Sequence, residues 1–351
     1  MSTNKILIIG GGLSGVSLAV HFCKENQNVT LIDNQINHST LIAAGQINPL
    51  VFRRMTKSWR VDDFIPYGKQ FYTELEQYSH SKIYHPVTIR RLFSSEQEKE
   101  MWLKKQTSEA FFSYMETIHE DDEQYNHVYN EFGSGRVKNA SYIDAPVFLL
   151  AGKKFINENN GNIHYEQFDY NSFNPESNTY KGEKFEKVIF CEGYLNQNNP
   201  WFNYLPVGTT KGEVLTINSQ NLNEEEGLNR KCFVLPVGNH TFRVGATYVW
   251  KTDDLTLTIE GKNELTEKFE KLSHYPYEII DHKAGIRPTT PDRRPIIGNH
   301  PINQNMFIFN GLGTKGYMIA PLMAKEFVDH ILYQKPLDKE VCIERFSSNE
   351  N

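Results

Sequence analysis

Three glycines near the start of the chain have the spacing of a turn that binds phosphate groups. Gly10, Gly12 and Gly15 follow a short apolar run at 5–9 and precede a segment whose apolar residues recur at helical spacing. Gly10 permits a tight turn, Gly12 lets backbone amides approach a pyrophosphate, and Gly15 allows the helix to pack closely on the strand. Asp33 ends a second apolar run, 18 residues after Gly15, where an acid typically binds a ribose hydroxyl. The pattern predicts a dinucleotide site; the alternative is a glycine-rich turn without a ligand.

A second glycine-rich segment lies near the other end of the chain. Residues 310–316 read Asn-Gly-Leu-Gly-Thr-Lys-Gly and stand between an apolar run at 306–309 and a helical pattern at 315–332. The start of that helix would present amides and partial positive charge to an electron-rich group. One side of a flavin is such a group. A plain glycine-capped turn is the alternative.

Arg287 lies between these motifs, in the sequence Gly-Ile-Arg-Pro at 285–288. Its planar guanidinium matches a carboxylate through two parallel hydrogen bonds, so it is a candidate for holding an acidic substrate. The alternative is a structural arginine that pairs with an internal acid.

The elements that must position these residues alternate between strand and helix at both ends of the chain. Segments 5–9, 13–24 and 28–33 read as strand, helix and strand, which favours a parallel sheet. The middle differs, because short apolar segments there are typical of antiparallel strands, at 210–217, 232–237 and 241–247.

Between these strands, residues 218–230 are rich in Asn and Glu and read as a solvated loop. Ser94 or Ser95 is expected to cap one helix of the middle region, and Asp144 another. We therefore predict an α/β fold, α+β overall, in which a Rossmann-like nucleotide-binding domain is interrupted by a mixed α+β domain with an antiparallel sheet.

Composition excludes several classes of protein. The chain has 351 residues, 39% of them hydrophobic, and a formal net charge of −6, which argues against wholesale disorder and a general nucleic-acid coat. The four cysteines lie far apart and do not have the spacing of metal ligands. No other pattern in the sequence indicates a metal site. The first apolar run is too short for a signal-peptide core or a membrane span, so we expect a soluble cytoplasmic protein.

The order of motifs resembles the D-amino-acid oxidase family of FAD-dependent oxidoreductases over nearly the whole chain. The first glycine turn is followed by Ala43-Ala-Gly45, by Val-Ile-Phe-Cys-Glu-Gly at 188–193, by Lys-Gly-Glu at 211–213, and by the two carboxyl-terminal motifs. The chain is similar to the glycine-oxidase-like members, with features of the oxidoreductase half of the bifunctional tRNA wobble-uridine modification enzyme.

The resemblance implies FAD as the cofactor and suggests which residues contact it. The expected cofactor-binding residues are Gly10, Gly12, Leu13, Ser14, Gly15, Asp33, Ala43, Ala44, Gly45, Gly193, Gly311, Leu312, Gly313, Thr314, Lys315 and Gly316. We expect an FAD-binding domain made of residues 1–52, 137–200 and 283–351, and a substrate-binding domain made of 53–136 and 201–282. Some members attach flavin covalently through Cys or His, but Arg287-Pro288 and Ile42 stand in those regions here, which implies noncovalent FAD.

The resemblance also suggests substrate residues, with one departure. In glycine-oxidase-like members the Arg of Gly-x-Arg-Pro binds the substrate carboxylate. The similar residue here is Arg287. Phe233 replaces a tyrosine that helps to hold substrate, so simple glycine or D-amino-acid oxidation is in doubt. Tyr248 is expected either to face the flavin or to lie in the core. Gln46 stands where the family has a flavin-facing loop residue and is a further candidate for the site.

The function implied is oxidation of the carbon–nitrogen bond of a small amino acid or secondary amine. Hydride passes to flavin N5, the imine is hydrolysed, and oxygen is the expected acceptor. One alternative is removal of a carboxymethyl group from a modified tRNA wobble uridine, favoured by the 310–316 turn and by a cluster of basic residues, Arg53, Arg54, Lys57 and Arg60. The alternative for this cluster is a solvated basic face, and the net charge of −6 counts against the tRNA function. A second alternative is a flavin-binding sensor without turnover.

Overall fold

The computed structural model of the chain describes residues 5–36, 38–119, 125 and 127–349. Within them the α-helices are α1 (Leu13–Lys24), α2 (His38–Ile42), α3 (Val61–Ser79), α4 (Glu96–Gln106), α5 (Ala145–Glu158), α6 (Ile259–Glu270) and α7 (Gly316–Tyr333). The strands are β1 (Lys5–Ile9), β2 (Asn28–Ile32), β3 (Gln46–Ile47), β4 (Leu50–Val51), β5 (Thr56–Lys57), β6 (Tyr84–Leu92), β7 (Ser134–Ile143), β8 (Gly161–His164), β9 (Phe173–Asn174), β10 (Thr179–Tyr180), β11 (Glu183–Lys184), β12 (Lys187–Phe190), β13 (Gly208–Asn218), β14 (Glu226–Arg230), β15 (Cys232–Gly238), β16 (Thr241–Gly245), β17 (Val249–Trp250), β18 (Glu278–Thr289), β19 (Ile296–Asn299) and β20 (Met306–Asn310).

The first sheet is mostly parallel and runs in the order β19-β20-β12-β1-β2-β8. Its central strand, β1, is apolar throughout its buried part because both faces are covered. Ile6 and Ile8 pack in one core cluster with residues of α1, α5 and α7, while Leu7 and Ile9 pack in another cluster rich in aromatic side chains. The predicted strand–helix–strand opening is confirmed, with α1 at the predicted bounds.

The second sheet has the order β17-β13-β16-β15-β14-β6-β7-β3, and β18 pairs with β13 beside this path. The prediction of a loop throughout 218–230 is wrong, because Glu226–Arg230 forms β14. This strand lies parallel to β6 and antiparallel to β15. Its partner β6 is more than a hundred residues away, so its local composition carried no signal of the pairing.

Four helices, α1, α3, α5 and α7, pack against one another on one side of the first sheet. Tyr72 Oη of α3 donates a hydrogen bond to the Tyr317 carbonyl at 2.8 Å, and Tyr317 Oη donates to the Thr40 carbonyl at 2.8 Å. These bonds hold α2 and α3 close to the start of α7. The predicted helix caps are confirmed, since the side chains of Ser95 and Asp144 accept bonds from the first turns of α4 and α5.

The predicted fold class is confirmed: a Rossmann-like unit lies beside a mixed unit with a large, mainly antiparallel sheet. The residue boundaries between the two units remain a prediction. Among the helices of the described residues, none combines the length and the apolar character that crossing a bilayer requires.

Candidate active site

A cavity of about 1160 Å³ lies between the carboxyl ends of the parallel strands and the second sheet. Ile9 and Ile32 line it from the first sheet, and Val214 and Gly245 line it from the second. This position, outside the carboxyl ends of parallel strands, is where α/β folds bind ligands. The cavity brings together most predicted site residues: Gly10, Gly12, Leu13, Ser14, Ala43, Ala44, Gly45, Gln46, Gly193, Tyr248, Arg287, Leu312, Gly313, Thr314, Lys315 and Gly316.

The first glycine turn opens α1 towards the cavity, and two of its glycines have no room for a side chain. A Cβ on Gly15 would overlap the carbonyl oxygen of Gly10, so α1 approaches the turn closely only with glycine there. Gly10 has a φ of +111° and lies against the Cys191 carbonyl. Gly15 does not line the cavity, so its part is packing, while Gly10 and Gly12 bring backbone to the cavity wall.

Asp33 is fully buried and is not among the residues that line the cavity. Its carboxylate packs under Gly11, where an added Cβ would overlap it, and Lys153 Nζ of α5 lies 2.5 Å from Oδ2. The sequence did not point to Lys153. Binding of a ribose hydroxyl by Asp33 remains a prediction, and this ion pair has to be considered in any test of it.

The second glycine turn closes the cavity at the start of α7. Gly311 and Gly313 have positive φ values of 73° and 58°. Asn310 Nδ2 donates to the Gly193 carbonyl at 2.9 Å, which joins this turn to the end of β12. Gly311 does not line the cavity, because it lies against Thr290 on the outer side of the turn.

Lys315 is a partly buried cation of this turn that lines the cavity. Its Nζ donates to the Asn48 carbonyl at 2.8 Å and to Ser58 Oγ at 2.5 Å, with the Leu50 carbonyl at 3.4 Å. No carboxylate of the described chain forms an ion pair with it. Burial lowers the pKa of Lys315 to about 8. The ammonium therefore adds positive charge to the wall, and no acid among the described residues offsets it.

The loop at 43–46 carries a polar group without a protein partner. Gly45 has a φ of +73° and packs on the Ile143 carbonyl, and this close approach places Gln46 in β3 beside the cavity. Gln46 Nε2 is buried and forms no hydrogen bond with any described residue. A buried donor left unsatisfied costs about 1–3 kcal/mol, so this amide favours a ligand that accepts a hydrogen bond here.

Arg287 reaches the cavity from β18, where it lies opposite Thr210 of β13. Its guanidinium stacks over the Tyr248 ring at 4.5 Å and has one long contact, 3.4 Å, from Nη1 to the Thr247 carbonyl. It pairs with no carboxylate in the described part of the chain, so the alternative of an internally paired arginine does not hold there. Burial lowers the pKa of Arg287, which reflects a charge held partly out of water without a counterion.

Tyr248 and Phe233 frame the same region. Tyr248 is 51% exposed and lines the cavity, so it does not lie in the core, and its position towards the flavin remains a prediction. Phe233 packs against Gly245 on the neighbouring strand β16. Its ring presents an apolar face at the position where the resemblance would place a tyrosine hydroxyl. The surface near Arg287 thus combines one cation with aromatic walls.

Glu192 is a lining residue that sequence reasoning missed, although it precedes the predicted Gly193. Tyr170 Oη donates to Oε1 at 2.5 Å, and Asn199 Nδ2 donates to Oε2 at 2.7 Å. Burial raises the pKa of Glu192 to about 7 despite these two bonds. The carboxyl group is therefore partly protonated at neutral pH.

Three further polar residues, Arg91, Asn229 and Lys231, line the opposite end of the cavity. Arg91 Nε donates to Glu98 Oε1 at 2.7 Å, and Arg91 Nη1 donates to Asn229 Oδ1 at 2.6 Å. No local motif marked them, because the pairing of β14 with β6 on one side and with β15 on the other brings them together.

Carboxylates pair with part of the basic cluster at 53–60. Arg60 pairs with Glu326 at 2.5 Å and with Asp63, and Lys57 pairs with Asp62. Only Arg53 of the four lines the cavity within the described chain. Carboxylates thus offset two of its four charges, and a role of the cluster in binding tRNA remains a prediction.

Comparison with known proteins adds to this geometry. A family model described as FAD-dependent oxidoreductase matches residues 5–330. The chain is 24% identical over 315 residues to the tRNA 5-methylaminomethyl-2-thiouridine biosynthesis bifunctional protein of Legionella pneumophila, with 84% of this chain and 45% of that protein covered. It spans less than half the length of the curated bifunctional relatives that it matches.

Two glycine oxidases match this chain over more than 90% of both chains. Glycine oxidase of Bacillus subtilis is 22% identical over 361 residues, which covers 93% of this chain and 92% of that protein. Among solved structures, glycine oxidase from Geobacillus kaustophilus superposes with a TM-score of 0.81 at 18% identity, over 99% of this chain and 100% of that one. At this identity the structural likeness establishes the fold.

Proposed function

The chain belongs to the FAD-dependent oxidoreductase family, and we propose that it oxidises the carbon–nitrogen bond of an amino acid or secondary amine that carries a carboxylate. It is an FAD-dependent oxidoreductase of the glycine-oxidase type. The observation that carries the proposal is Arg287, a cavity-lining guanidinium without a carboxylate partner among the described residues.

The residues of the cavity fit FAD. The open start of α1, with Gly10 and Gly12, would hold the pyrophosphate through backbone amides and the helix dipole. The unsatisfied Gln46 Nε2 and the Lys315 ammonium are donors suited to the polar edge of the flavin ring. Asp33 is proposed for the ribose.

The attachment of FAD is proposed to be noncovalent. Cys191 and Cys232 line the cavity, and burial raises the pKa of both thiols. Because the thiolate is the reactive form, neither sulfur is an activated nucleophile at neutral pH.

In the proposed mechanism, Arg287 orients the substrate through its carboxylate. The fork binds two oxygens at once, which fixes the direction in which the adjacent carbon points. Bound FAD supplies at its N5 the acceptor for the hydride that leaves this carbon. The apolar faces of Phe233 and Val214 exclude water beside the reacting bond.

No side-chain base is required, because the amine binds unprotonated and its lone pair assists the departure of hydride. Water then hydrolyses the imine, and oxygen is proposed as the final electron acceptor with formation of hydrogen peroxide. Since Phe233 offers no hydroxyl to an amino group, N-substituted amino acids fit this wall at least as well as glycine.

A second candidate function is favoured by the bifunctional tRNA-modifying relatives, which cover 84% of this chain. It is the oxidative removal of a carboxymethyl group from a modified wobble uridine. The same clamp at Arg287 would hold that carboxylate. Against it stands the pairing of Lys57 and Arg60 with carboxylates, which removes much of the expected basic surface.

The test is an anaerobic titration of the yellow protein with glycine, sarcosine, N-ethylglycine, D-alanine and ethylamine, read at the flavin absorbance. We expect bleaching by one or more carboxylate-bearing amines and none by ethylamine. A stem-loop RNA with a carboxymethylated wobble uridine distinguishes the second function. If dithionite bleaches the flavin but no amine and no RNA does, the proposal of turnover is wrong and the sensor alternative holds.

A further inference from the structure

We propose that the substrate carries a second anionic group, far from the carboxylate at Arg287, and that Arg53 and Lys231 recognise it. This inference rests on the proposed function and specifies its substrate class: an amine that links two acidic groups across the cavity. Both residues line the same cavity as Arg287, and nothing in the family assignment requires them.

Strand register gives the separation of the two ends. Arg287 lies on β18, and β13, β16 and β15 follow it across the sheet. Phe233 on β15 is opposite Gly245 on β16, which is opposite Val214 on β13. Because neighbouring strands lie about 4.8 Å apart and the Arg287 guanidinium lies over Gly212 of β13, β15 is about 10 Å from that group. A lone amino acid is too short to span this distance.

Lys231 stands at the far side of this row, in the tight turn between β14 and β15. It has a φ of +61°, follows Arg230 and precedes Cys232, which are paired across the turn. The turn fixes its backbone at the cavity rim, while its ammonium is exposed and forms no ion pair with a described carboxylate. The charge is thus available to a ligand.

Arg53 approaches the same end from another element, the single turn at Phe52–Arg54. It is exposed and likewise has no carboxylate partner in the ranges that the structure describes. The adjacent Phe52 ring stacks with the Arg91 guanidinium at 4.9 Å, which holds this turn against β6. Two cations from separate elements therefore flank one rim.

The acids of this rim do not offset them. Glu98 is the carboxylate there within the described residues, and Arg91 already pairs with it at 2.7 Å. The start of α4 is also occupied, since Ser94 N donates to Glu98 Oε2 at 2.8 Å and Ser95 Oγ accepts from Glu98 N at 3.3 Å. The excess positive charge at the rim therefore resides in Arg53 and Lys231.

A small dianionic molecule fits these observations better than a nucleic acid. Two cations at a cavity rim suit one acidic group, whereas an RNA backbone needs a row of cations along the outer surface. Here Lys57 and Arg60, which extend from the rim, are paired with carboxylates, and the whole chain has a net charge of −6.

The experiment uses the FAD-loaded protein and a series of N-(carboxyalkyl)glycines of increasing chain length. Each is compared with an N-alkylglycine of equal length, and the readouts are the rate of anaerobic flavin reduction and the apparent Kd from its concentration dependence. We expect the dianions to bind about tenfold more tightly once the distal carboxylate reaches the rim, with a preference that falls as salt rises.

Variants assign the preference to the proposed residues. In Arg53→Gln/Lys231→Gln the ratio of dianion to neutral affinity should fall to about one. Arg54→Gln is the matched control, because Arg54 is the neighbouring exposed cation and does not line the cavity. Its ratio should stay at the wild-type value.

Four outcomes overturn the inference. Neutral N-alkylglycines that reduce the flavin without any preference for dianions would sink it and leave the proposed function standing. A preference that survives in the double variant would place the distal site elsewhere. Reduction by the modified stem-loop RNA, far more efficient than by every small dianion, would identify a nucleic acid as the occupant. If no amine reduces the flavin, the proposed function fails as well.

Discussion

The guanidinium of Arg287 lies directly over the backbone of Gly212. The two residues sit on paired strands, β18 and β13, and an added Cβ on Gly212 would overlap Nη2, Cζ and Nη1 of the arginine. Because Gly212 has no side chain, the guanidinium of Arg287 can occupy the space that a Cβ would fill. Gly212 belongs to the Lys-Gly-Glu motif at 211–213, and this contact gives a physical reason for its glycine.

Gly212→Ala should weaken substrate binding without loss of FAD. The methyl group forces the flexible guanidinium aside, so the apparent Kd of the best carboxylate substrate should rise about tenfold, the effect of losing one charge-assisted hydrogen bond. Gly208→Ala is the matched control on the same strand, since its Cβ would meet Thr289 Oγ1 at an ordinary 3.5 Å. Equal affinities in both variants would show that the position of the guanidinium is unimportant.

Arg287→Lys should impair substrate binding although it keeps the charge. Lysine presents a point charge and cannot form the bidentate fork, so we expect a loss of about ten- to a hundred-fold in the apparent binding constant. The flavin spectrum and FAD content should be normal. Arg293→Lys, at an exposed position outside the cavity, is the control. If the two variants behave alike on every active substrate, Arg287 does not clamp a carboxylate.

Asp33→Asn should weaken FAD binding, because a charged acceptor for ribose hydroxyls contributes about 1.5–3 kcal/mol per hydrogen bond. The measurement is the Kd for FAD of the reconstituted protein. Asp33→Asn also removes the ion pair with Lys153. Lys153→Met is therefore the control variant, because it removes the ion pair and keeps the Asp33 carboxylate. Equal losses in both variants would mean that the ion pair, and not a ribose contact, is what matters.

Glu192→Gln should stabilise the fold at high pH. The folded-state pKa of Glu192 is raised to about 7 from an ordinary 4.5, so the folded protein favours the protonated group. Wild type therefore loses this contribution as the pH rises through 7, whereas the variant does not. The difference in unfolding free energy should be near zero below pH 4.5 and reach up to about 3 kcal/mol by pH 8, measured by urea denaturation.

Glu166→Gln provides the opposite sign as a control. Glu166 also lines the cavity, but its pairing with Lys181 lowers its pKa. Its ionised form stabilises the fold above its ordinary pKa, so this variant should be the less stable protein at pH 8, with a difference that disappears as the pH falls. The same pH dependence in both variants would contradict the environment described for Glu192.

FAD should leave the protein on acid precipitation. Because the thiols of Cys191 and Cys232 are held protonated by burial, no covalent bond to the flavin is expected. The supernatant should contain all of the yellow colour as FAD. Colour that stays in the pellet would show a covalent link.

Local patterns predicted the parts of the site that neighbouring residues build. The apolar run of β1, the glycines after it and α1 lie within twenty residues, so spacing alone located that turn. Arg287 and the 310–316 segment were found in the same way. Their surroundings were not: no sequence pattern shows that Gly212 makes room for Arg287, because strand pairing creates that contact.

The remaining differences have the same cause. β14 is polar in composition, and its pairing with distant β6 makes it a strand. Lys231 and Arg53 reach one rim only because a hairpin turn and a single helical turn meet there. The pairing of Arg60 within the basic cluster could not be seen in the sequence, because its partner Glu326 is distant along the chain.

The bonds of Lys315 to Asn48 and Ser58 set the order in which the cavity can be completed during synthesis. They join segments about 260 residues apart, with separations of 267 and 257 positions. The central strand β1 can pair with β12 only after β12 has been synthesised. In the same way, β12 can pair with β20 only after β20 has been synthesised. Until Lys315 has been synthesised, the early segment that closes one wall lacks these bonds and is held by its pairing with β7. Completion of this wall, and with it capture of the cofactor, therefore follows the emergence of position 315.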